Sequence, residues 1–110
     1  MTVSPNNDIE LLDLCKQVYK ATGWEMDSWK DFQFPLYTSD YLFEEIDRRI
    51  GEYRVLHVYS MFDIETYESY CKANVGTPGS INISTDRTDT ILKALLKLTL
   101  ALHEAGVLHD

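Results

Sequence analysis

The chain has 110 residues, of which 45% are hydrophobic and 25% are charged, and its formal net charge is −8. This length suits one domain with one core, and the apolar content excludes a disordered chain. We therefore expect a single compact domain over residues 1–110, with 1–6 and 107–110 loose. No charged segment precedes an apolar run at the N-terminus, which predicts no signal peptide and a cytoplasmic protein.

The negative charge is unevenly distributed along the chain. Residues 1–70 hold 14 acids and 6 bases, whereas residues 71–110 hold 4 of each. An acidic field repels nucleic acids and anionic membranes, so we expect neither as a direct partner. The same field would attract a protein with a basic surface.

The first predicted helix runs from Asp8 to Thr22. Asn7 is the expected N-cap, Glu10 completes an imperfect capping box, and Gly23 ends the helix. The expected buried stripe consists of Leu11, Leu12, Cys15, Val18, Tyr19 and Thr22.

The stretch from Trp24 to Asp40 has no sustained period and is rich in aromatic residues. Pro35 excludes a helix through its middle. A connection of this length must either pack over one end of the sheet or present an aromatic surface to a ligand or partner. Both interpretations stay open.

A second helix is expected from a cap at Thr38 or Ser39 to about Ile50. Its acids precede its arginines, as the helix dipole favours, and Glu44–Arg48 and Glu45–Arg49 are spaced as ion pairs. Its predicted apolar face consists of Leu42, Phe43, Ile46 and Ile50.

Three strands follow. Glu52–Met61 alternates with apolar groups on both faces, which predicts a central strand, and Phe62–Glu65 would form the hairpin connection. Thr66–Ala73 favours a second strand, although a helix through 64–73 is an open alternative. Asn74–Gly79 has the composition of a turn, and Ser80–Ser84 is typical of a short third strand.

The last helix is predicted from Asp86 to Gly106, with apolar residues over more than half of its circumference. Such a helix is either the central packing element or part of a homodimer interface. Asp86 and Asp89 are expected as capping acids, and Lys93 and Lys97 inside the apolar span argue against a membrane helix. The residues expected to face water are Lys93, Lys97, His103 and Glu104.

The fold class that follows is α+β, a three-stranded antiparallel sheet flanked by three helices in the order α-α-β-β-β-α. Cys15 and Cys71 lie on separate elements without metal-ligand spacing, so we expect two buried reduced thiols, with a disulfide as the alternative. His57, His103 and His109 form no metal motif. We predict no catalytic residue, no metal, no cofactor and no enzymatic activity.

The remaining candidate for function is the surface. Acids and aromatic residues are concentrated together in the first part of the chain, which suits a protein partner with a basic groove that normally holds nucleic acid. The alternative is a solvated acidic face. The candidate partner-binding residues are Trp24, Asp27, Trp29, Asp31, Tyr37, Asp40, Glu44, Glu45 and Asp47.

Three stretches carry a resemblance to a known family: Phe34–Asp40 followed by a helix, the strand Tyr53–Val58, and the closing helix from Asp89 to Leu96. With these, residues 24–104 resemble the phage ABA sandwich family of small phage and prophage proteins, although Tyr53 stands where that family often has a tryptophan. The family has no assigned activity, so no site residue is carried over. The resemblance implies a phage origin and an accessory role in the host bacterial cytoplasm.

Our first hypothesis is therefore a non-enzymatic phage accessory protein that binds a host protein, such as a nucleic-acid-handling or defence enzyme, and inhibits it. A second hypothesis is a small-molecule binder in which Trp24, Trp29, Phe34 and Tyr37 cover a pocket for a nucleotide-like ligand. A third is a structural phage protein that dimerises through the 86–106 helix.

Overall fold

The computed structural model describes residues 8–26, 34–77 and 80–108. The elements in chain order are α1 (Ile9–Thr22), α2 (Ser39–Arg49), β1 (Val55–Asp63), β2 (Glu68–Thr77), β3 (Ser80–Ser84) and α3 (Ile91–Glu104). The three strands pair antiparallel, which confirms the predicted α+β fold and its element order.

The ends of α1 are set by Asp8 and Gly23. The Asp8 side chain accepts a hydrogen bond from the Leu11 N–H at 3.1 Å and is the N-cap; Asn7, the predicted cap, lies outside the described residues. Gly23 ends the helix at φ 71°, a left-handed conformation that glycine adopts without strain, as predicted. The buried side of α1 consists of Leu11, Leu14, Cys15 and Val18; Leu14 was not predicted there, and Leu12, Tyr19 and Thr22 are half-buried.

The strand order in the sheet is β1-β2-β3, so β2 is central and β1 is an edge strand. The prediction that β1 is central was wrong. Its apolar residues on two faces reflect exposure rather than cover on both sides, since Val55, Met61 and Phe62 are 43%, 50% and 55% exposed.

The strand assignment for the second alternating stretch is confirmed, but β2 continues through Thr77. The predicted turn is wrong for 74–77, where Val75 pairs with Leu56 and Gly76 with Val55; residues 78–79 lie outside the described chain. The hairpin turn occupies 64–67, two residues later than expected. Gly76 marks a register shift in the pairing of β2 with β3 rather than a turn.

The last helix is the central packing element, one of the two roles predicted for it. α3 packs against α1, α2 and all three strands, and α1 packs on α3 rather than on the sheet. Among the described residues, no helix combines the length and apolar content needed to cross a membrane. The most deeply buried core residues include Val18, Leu42, Ile46, Ala73, Val75, Leu95, Leu96, Leu98 and Leu102.

The helix starts later than predicted, at Ile91 after the N-cap Thr90. The reason lies in Thr88, whose N–H and C=O bond to the backbone of Cys71 in β2 at 2.9 and 2.7 Å and are therefore unavailable to a helix. Asp86 and Asp89 consequently precede the helix rather than forming its first turn. At the other end, Val107 and Leu108 pack against the core, although the tail after Gly106 was expected to be loose.

Candidate functional site

The outward side of α2 brings together one part of the predicted site. Thr38 caps the helix by accepting a hydrogen bond from the Tyr41 N–H at 3.3 Å. Leu42 and Ile46 face the core and are completely buried. The opposite side carries Asp40, Phe43, Glu44 and Asp47, all exposed, which we name the acidic face; the exposed Arg48, which pairs with Glu45, lies beside them.

The three carboxylates of the acidic face lie on one side of the helix because their positions differ by four and three residues. Within the described part of the chain, no ion pair involves Asp40, Glu44 or Asp47. Their charges are therefore available to an external cation.

An apolar side chain lies among these carboxylates. Phe43 was predicted on the buried side of α2, but it is 41% exposed. The buried stripe contains Leu42 and Ile46. Phe43 follows Leu42 directly and is therefore rotated by about 100° around the helix, which places it outside the stripe. The acidic face therefore combines negative charge with an exposed aromatic ring.

Glu45 differs from its acidic neighbours. Its Oε2 accepts hydrogen bonds from Arg48 at 2.6 Å and from Arg49 at 3.0 Å, and its side chain is 18% exposed. Partial burial opposes ionisation, but the bonds from Arg49 and Arg48 outweigh it and hold the pKa of Glu45 below its ordinary value. The predicted Glu45–Arg49 pair is confirmed, whereas Arg48 pairs with Glu45 instead of Glu44.

Trp24 and Tyr37 belong to the core, and their assignment to a partner surface was wrong. They are 8% and 2% exposed, and the Tyr37 hydroxyl donates a hydrogen bond to the Trp24 carbonyl at 2.5 Å. The Arg49 guanidinium lies 5.0 Å from the centre of the Trp24 ring, and Tyr37 stacks on Tyr41 at 5.7 Å. For these residues the packing interpretation of the aromatic connection holds. Asp27, Trp29 and Asp31 lie outside the described residues.

A charge cluster around the buried Lys93, which we name the Lys93 cluster, joins α1 to α3 and was not predicted. Lys93 was expected to face water, but its side chain is 7% exposed. Its Nζ lies 2.9 Å from Asp8, 3.2 Å from Asp89 and 3.8 Å from Glu10. Burial disfavours the ammonium, but the hydrogen bonds to Asp8 and Asp89 prevail and raise the pKa of Lys93. The i,i+4 spacing of Asp89 and Lys93 was the only sign of this cluster in the sequence.

A second ion pair joins the hairpin to the segment before α3. Arg87 donates to Asp63 at 2.8 Å, and its guanidinium carbon lies 4.0 Å from the centre of the Tyr70 ring. The Arg87 bond, helped by the Glu65 N–H, holds the pKa of the Asp63 carboxyl below its ordinary value. The arginine is therefore held by both a charge and an aromatic ring.

These ion pairs connect the acidic part of the sequence, residues 1–70, with the neutral part, residues 71–110. Lys93 and Arg87 belong to the electrically neutral part of the chain, yet they neutralise Asp8 and Asp63 from the acidic part. The division at residue 70 therefore does not divide the folded molecule into an acidic and a neutral half. The acidic face of α2 keeps its charges because no base from the second part reaches it.

The described residues line cavities large enough for a ligand, and two of them border the elements discussed above. A cleft of about 370 Å³ lies beside Lys93, and among its charged lining residues Lys93 pairs with Asp89 and Glu10. A second cavity, of about 350 Å³, is mainly apolar and lies between α1, the start of α2 and the start of α3. Its described lining residues are Leu11, Cys15, Leu36, Tyr37, Thr38, Ser39 and Leu92.

Two sequence-based expectations concern the cysteines and the possible metal ligands. Cys15 and Cys71 are free and buried, as predicted, and burial raises the pKa of both thiols, which disfavours the nucleophilic thiolate. Over residues 8–26, 34–77 and 80–108, no group of three histidine, cysteine or acidic side chains could hold a metal ion.

Comparison of the chain with protein-family models, with curated proteins and with solved structures finds no match. The resemblance to the phage ABA sandwich family therefore stays a prediction.

Proposed function

We propose that this protein is a non-enzymatic accessory protein that binds a basic protein surface through the acidic face of α2. The observation that carries this proposal is the 41% exposure of Phe43, which lies between carboxylates that form no ion pair with any residue the structure describes. Exposed charges accelerate association with an oppositely charged surface, and a desolvated aromatic ring slows dissociation. The acidic face thus offers both elements of a protein-binding site.

The partner class follows from the same chemistry. A row of carboxylates along a helix can occupy a groove whose lysines and arginines otherwise hold phosphates. With the phage origin implied by the family resemblance, we propose a host enzyme that handles nucleic acid or acts in defence, which this protein would inhibit. Direct binding of nucleic acid is disfavoured by the net charge of −8.

Charge reversal on the acidic face tests the proposal. The double variant Glu44→Lys/Asp47→Lys leaves the buried side of α2 untouched and keeps Asp40, whose charge suits the first turn of the helix. Glu65→Lys/Glu104→Lys is the matched control, since both residues are exposed, lie off α2 and give the same change in net charge.

Each tagged variant is incubated with bacterial lysate, and the captured proteins are eluted by a salt gradient. We expect a basic protein that the wild type and the control retain, that the α2 variant loses, and that leaves the wild type at moderate salt. Phe43→Ala should then accelerate its dissociation with little effect on association. Equal capture by the α2 variant and the control would refute the role of the acidic face.

The apolar cavity favours a second candidate function, the binding of a small molecule. Its volume of about 350 Å³ lies within the range of natural ligand sites, about 300–1,000 Å³. No base is present among its described lining residues, so an apolar compound with a hydrogen-bonding group suits it better than the nucleotide-like ligand of our second hypothesis.

Thermal unfolding in the presence of a metabolite library tests this candidate. A true ligand should raise the melting temperature of the wild type in proportion to its concentration. Leu36→Phe, which fills part of the cavity, should abolish that increase, whereas the acidic-face variant should retain it. A library without any stabilising compound would contradict ligand binding.

A further inference from the structure

The outer edge of β1 presents backbone groups that need hydrogen-bond partners. Cys71 in β2 exchanges both of its backbone bonds with Thr88, on the side of β2 away from β1. Its partner in β1, Ser60, therefore forms a non-hydrogen-bonded pair with it. The Ser60 N–H and C=O consequently point away from β2, toward the outer edge of the sheet. Because this direction alternates along a strand, the backbone groups of Leu56, Val58 and Phe62 also point to that edge.

Within the described part of the chain, nothing pairs with these outward groups. β1 forms a ladder with β2 alone, and it is an edge strand of nine residues. Ser60 and Phe62 are both exposed. An uncovered edge of this length is a template for another strand.

The usual protection of an edge strand is missing from β1. Natural edges are shortened, bulged, or carry proline and lysine, which prevent pairing with another chain. Residues 55–62 contain no proline, no lysine and no acid, and their pairing with β2 is continuous. The other edge strand, β3, has only five residues, and its pairing with β2 is interrupted by a register shift. The edge of β1 is therefore the one suited to pairing.

We propose that β1 pairs antiparallel with β1 of a second copy of this chain about a two-fold axis, which joins the two sheets into one of six strands. Two copies with a net charge of −8 repel each other, and the acid-free stretch 55–62 is where they can approach. Antiparallel pairing also brings Arg54, which precedes the strand, near Asp63 of the other copy, whose carboxylate already accepts a hydrogen bond from Arg87 of its own chain.

The side chains favour the same arrangement. Leu56 and Val58 face the core, so the odd-numbered residues lie on the opposite face of the sheet. On that face Val55 and Met61, at opposite ends of β1, are 43% and 50% exposed. Antiparallel pairing places Val55 of one copy near Met61 of the other and shields both from water.

This interface differs from the dimer predicted through the 86–106 helix. The apolar side of α3 is buried by α1, α2 and the sheet, and Ile91 is its one strongly exposed large apolar residue among those described. The edge of β1 offers unpaired backbone groups as well as apolar side chains. It contains none of the residues of the acidic face, so dimerisation and partner binding can be tested with different variants.

A proline at Ser60 tests the proposal selectively. Because the Ser60 N–H points outward, Ser60→Pro removes a donor of the edge and spares the ladder with β2. Ser60→Ala is the matched control, since it shortens the side chain and keeps the N–H. Ser60→Lys adds a charge of the kind that protects natural edge strands. It replaces Ser60→Pro in the test if circular dichroism shows that the proline variant does not fold.

Sedimentation equilibrium from micromolar to submillimolar concentration gives the readout. We expect the wild type and Ser60→Ala to approach twice the chain mass of 12.7 kDa, and Ser60→Pro and Ser60→Lys to remain at 12.7 kDa. A wild type that stays monomeric throughout would overturn the proposal. Folded Ser60→Pro and Ser60→Lys variants that still dimerise would also overturn it, because the contact would then lie elsewhere.

Discussion

The Lys93 ammonium lies 2.9 Å from the Asp8 carboxylate, so the first turn of α3 is bound to the N-cap of α1. Asp8 thereby serves two roles, since the same side chain accepts the N–H of Leu11. These contacts join the first helix of the chain to the last one. Their loss should weaken the packing of α1, which contacts α3 rather than the sheet.

Replacement of Lys93 by methionine should therefore destabilise the protein. Methionine keeps the apolar stem but removes the charge, and the acids left behind are exposed enough to be rehydrated. We expect a loss of about 1 kcal/mol in the free energy of unfolding, measured by urea denaturation. Lys97→Met, which removes a more exposed lysine 4.0 Å from Glu10, is the control and should change it by less than about 0.5 kcal/mol. Equal losses in the two variants would contradict a special role for Lys93.

The same cluster predicts how stability depends on pH. The hydrogen bond from Lys93 lowers the pKa of Asp8 in the folded state, so this contribution is present above about pH 4 and is lost as the pH falls through the lowered value. The pKa of Lys93 is raised, so its contribution is present below about pH 10 and is lost as the pH rises through the raised value.

The free-energy difference between the wild type and Lys93→Met should therefore be largest near neutral pH and smaller at both extremes. Denaturation of both proteins over the full pH range measures it. A difference that does not change with pH would show that packing, rather than charge, accounts for the stabilisation.

Much of the fold could be predicted because it depends on local signals. The end of α1 at Gly23 and the strand Ser80–Ser84 follow from residue type and spacing and are observed, as is the cap at Thr38, one of the two candidates. The position of β1 could not be predicted in this way. Apolar residues on both sides of a strand are found in central strands and in exposed edges alike, and only the tertiary arrangement distinguishes them.

The candidate site was predictable in part for a related reason. The charges of Asp40, Glu44 and Asp47 follow from helical spacing and need no tertiary information. The burial of Lys93 depends on acids brought from another helix, and the burial of Tyr37 on a carbonyl 13 residues away in sequence. Such long-range contacts leave no periodic trace in the chain.

The hairpin turn contains a strained residue whose replacement should stabilise the protein. Tyr67 has φ 57°, a left-handed conformation that costs most residues about 1–2 kcal/mol, and it is 79% exposed. Asparagine tolerates this conformation, so Tyr67→Asn should raise the melting temperature despite the loss of the ring contact with Phe62. Ile64→Asn, in the same turn and 77% exposed, is the control and should not raise it. Similar melting temperatures for the two variants would contradict strain at Tyr67.

The rates at which the two thiols react should reveal two different local unfolding events. Cys15 is 1% exposed and Cys71 is 9% exposed, and burial raises the pKa of each. Neither should react quickly with a thiol reagent at neutral pH, because reaction requires an accessible thiolate. Cys71 lies on β2 next to the segment before α3, whereas Cys15 lies in α1 against the core and lines the apolar cavity.

Modification rates measured on Cys15→Ala and Cys71→Ala distinguish the two sites. We expect the thiol of Cys71 to react faster, through local separation of Thr88 from β2, and that of Cys15 to react only when α1 detaches. Lys93→Met should accelerate modification of Cys15 and leave that of Cys71 almost unchanged, since Lys93 joins α1 to α3. Equal acceleration at both thiols would mean that they become accessible only through global unfolding, and the Lys93 cluster would then stabilise the whole fold rather than the packing of α1.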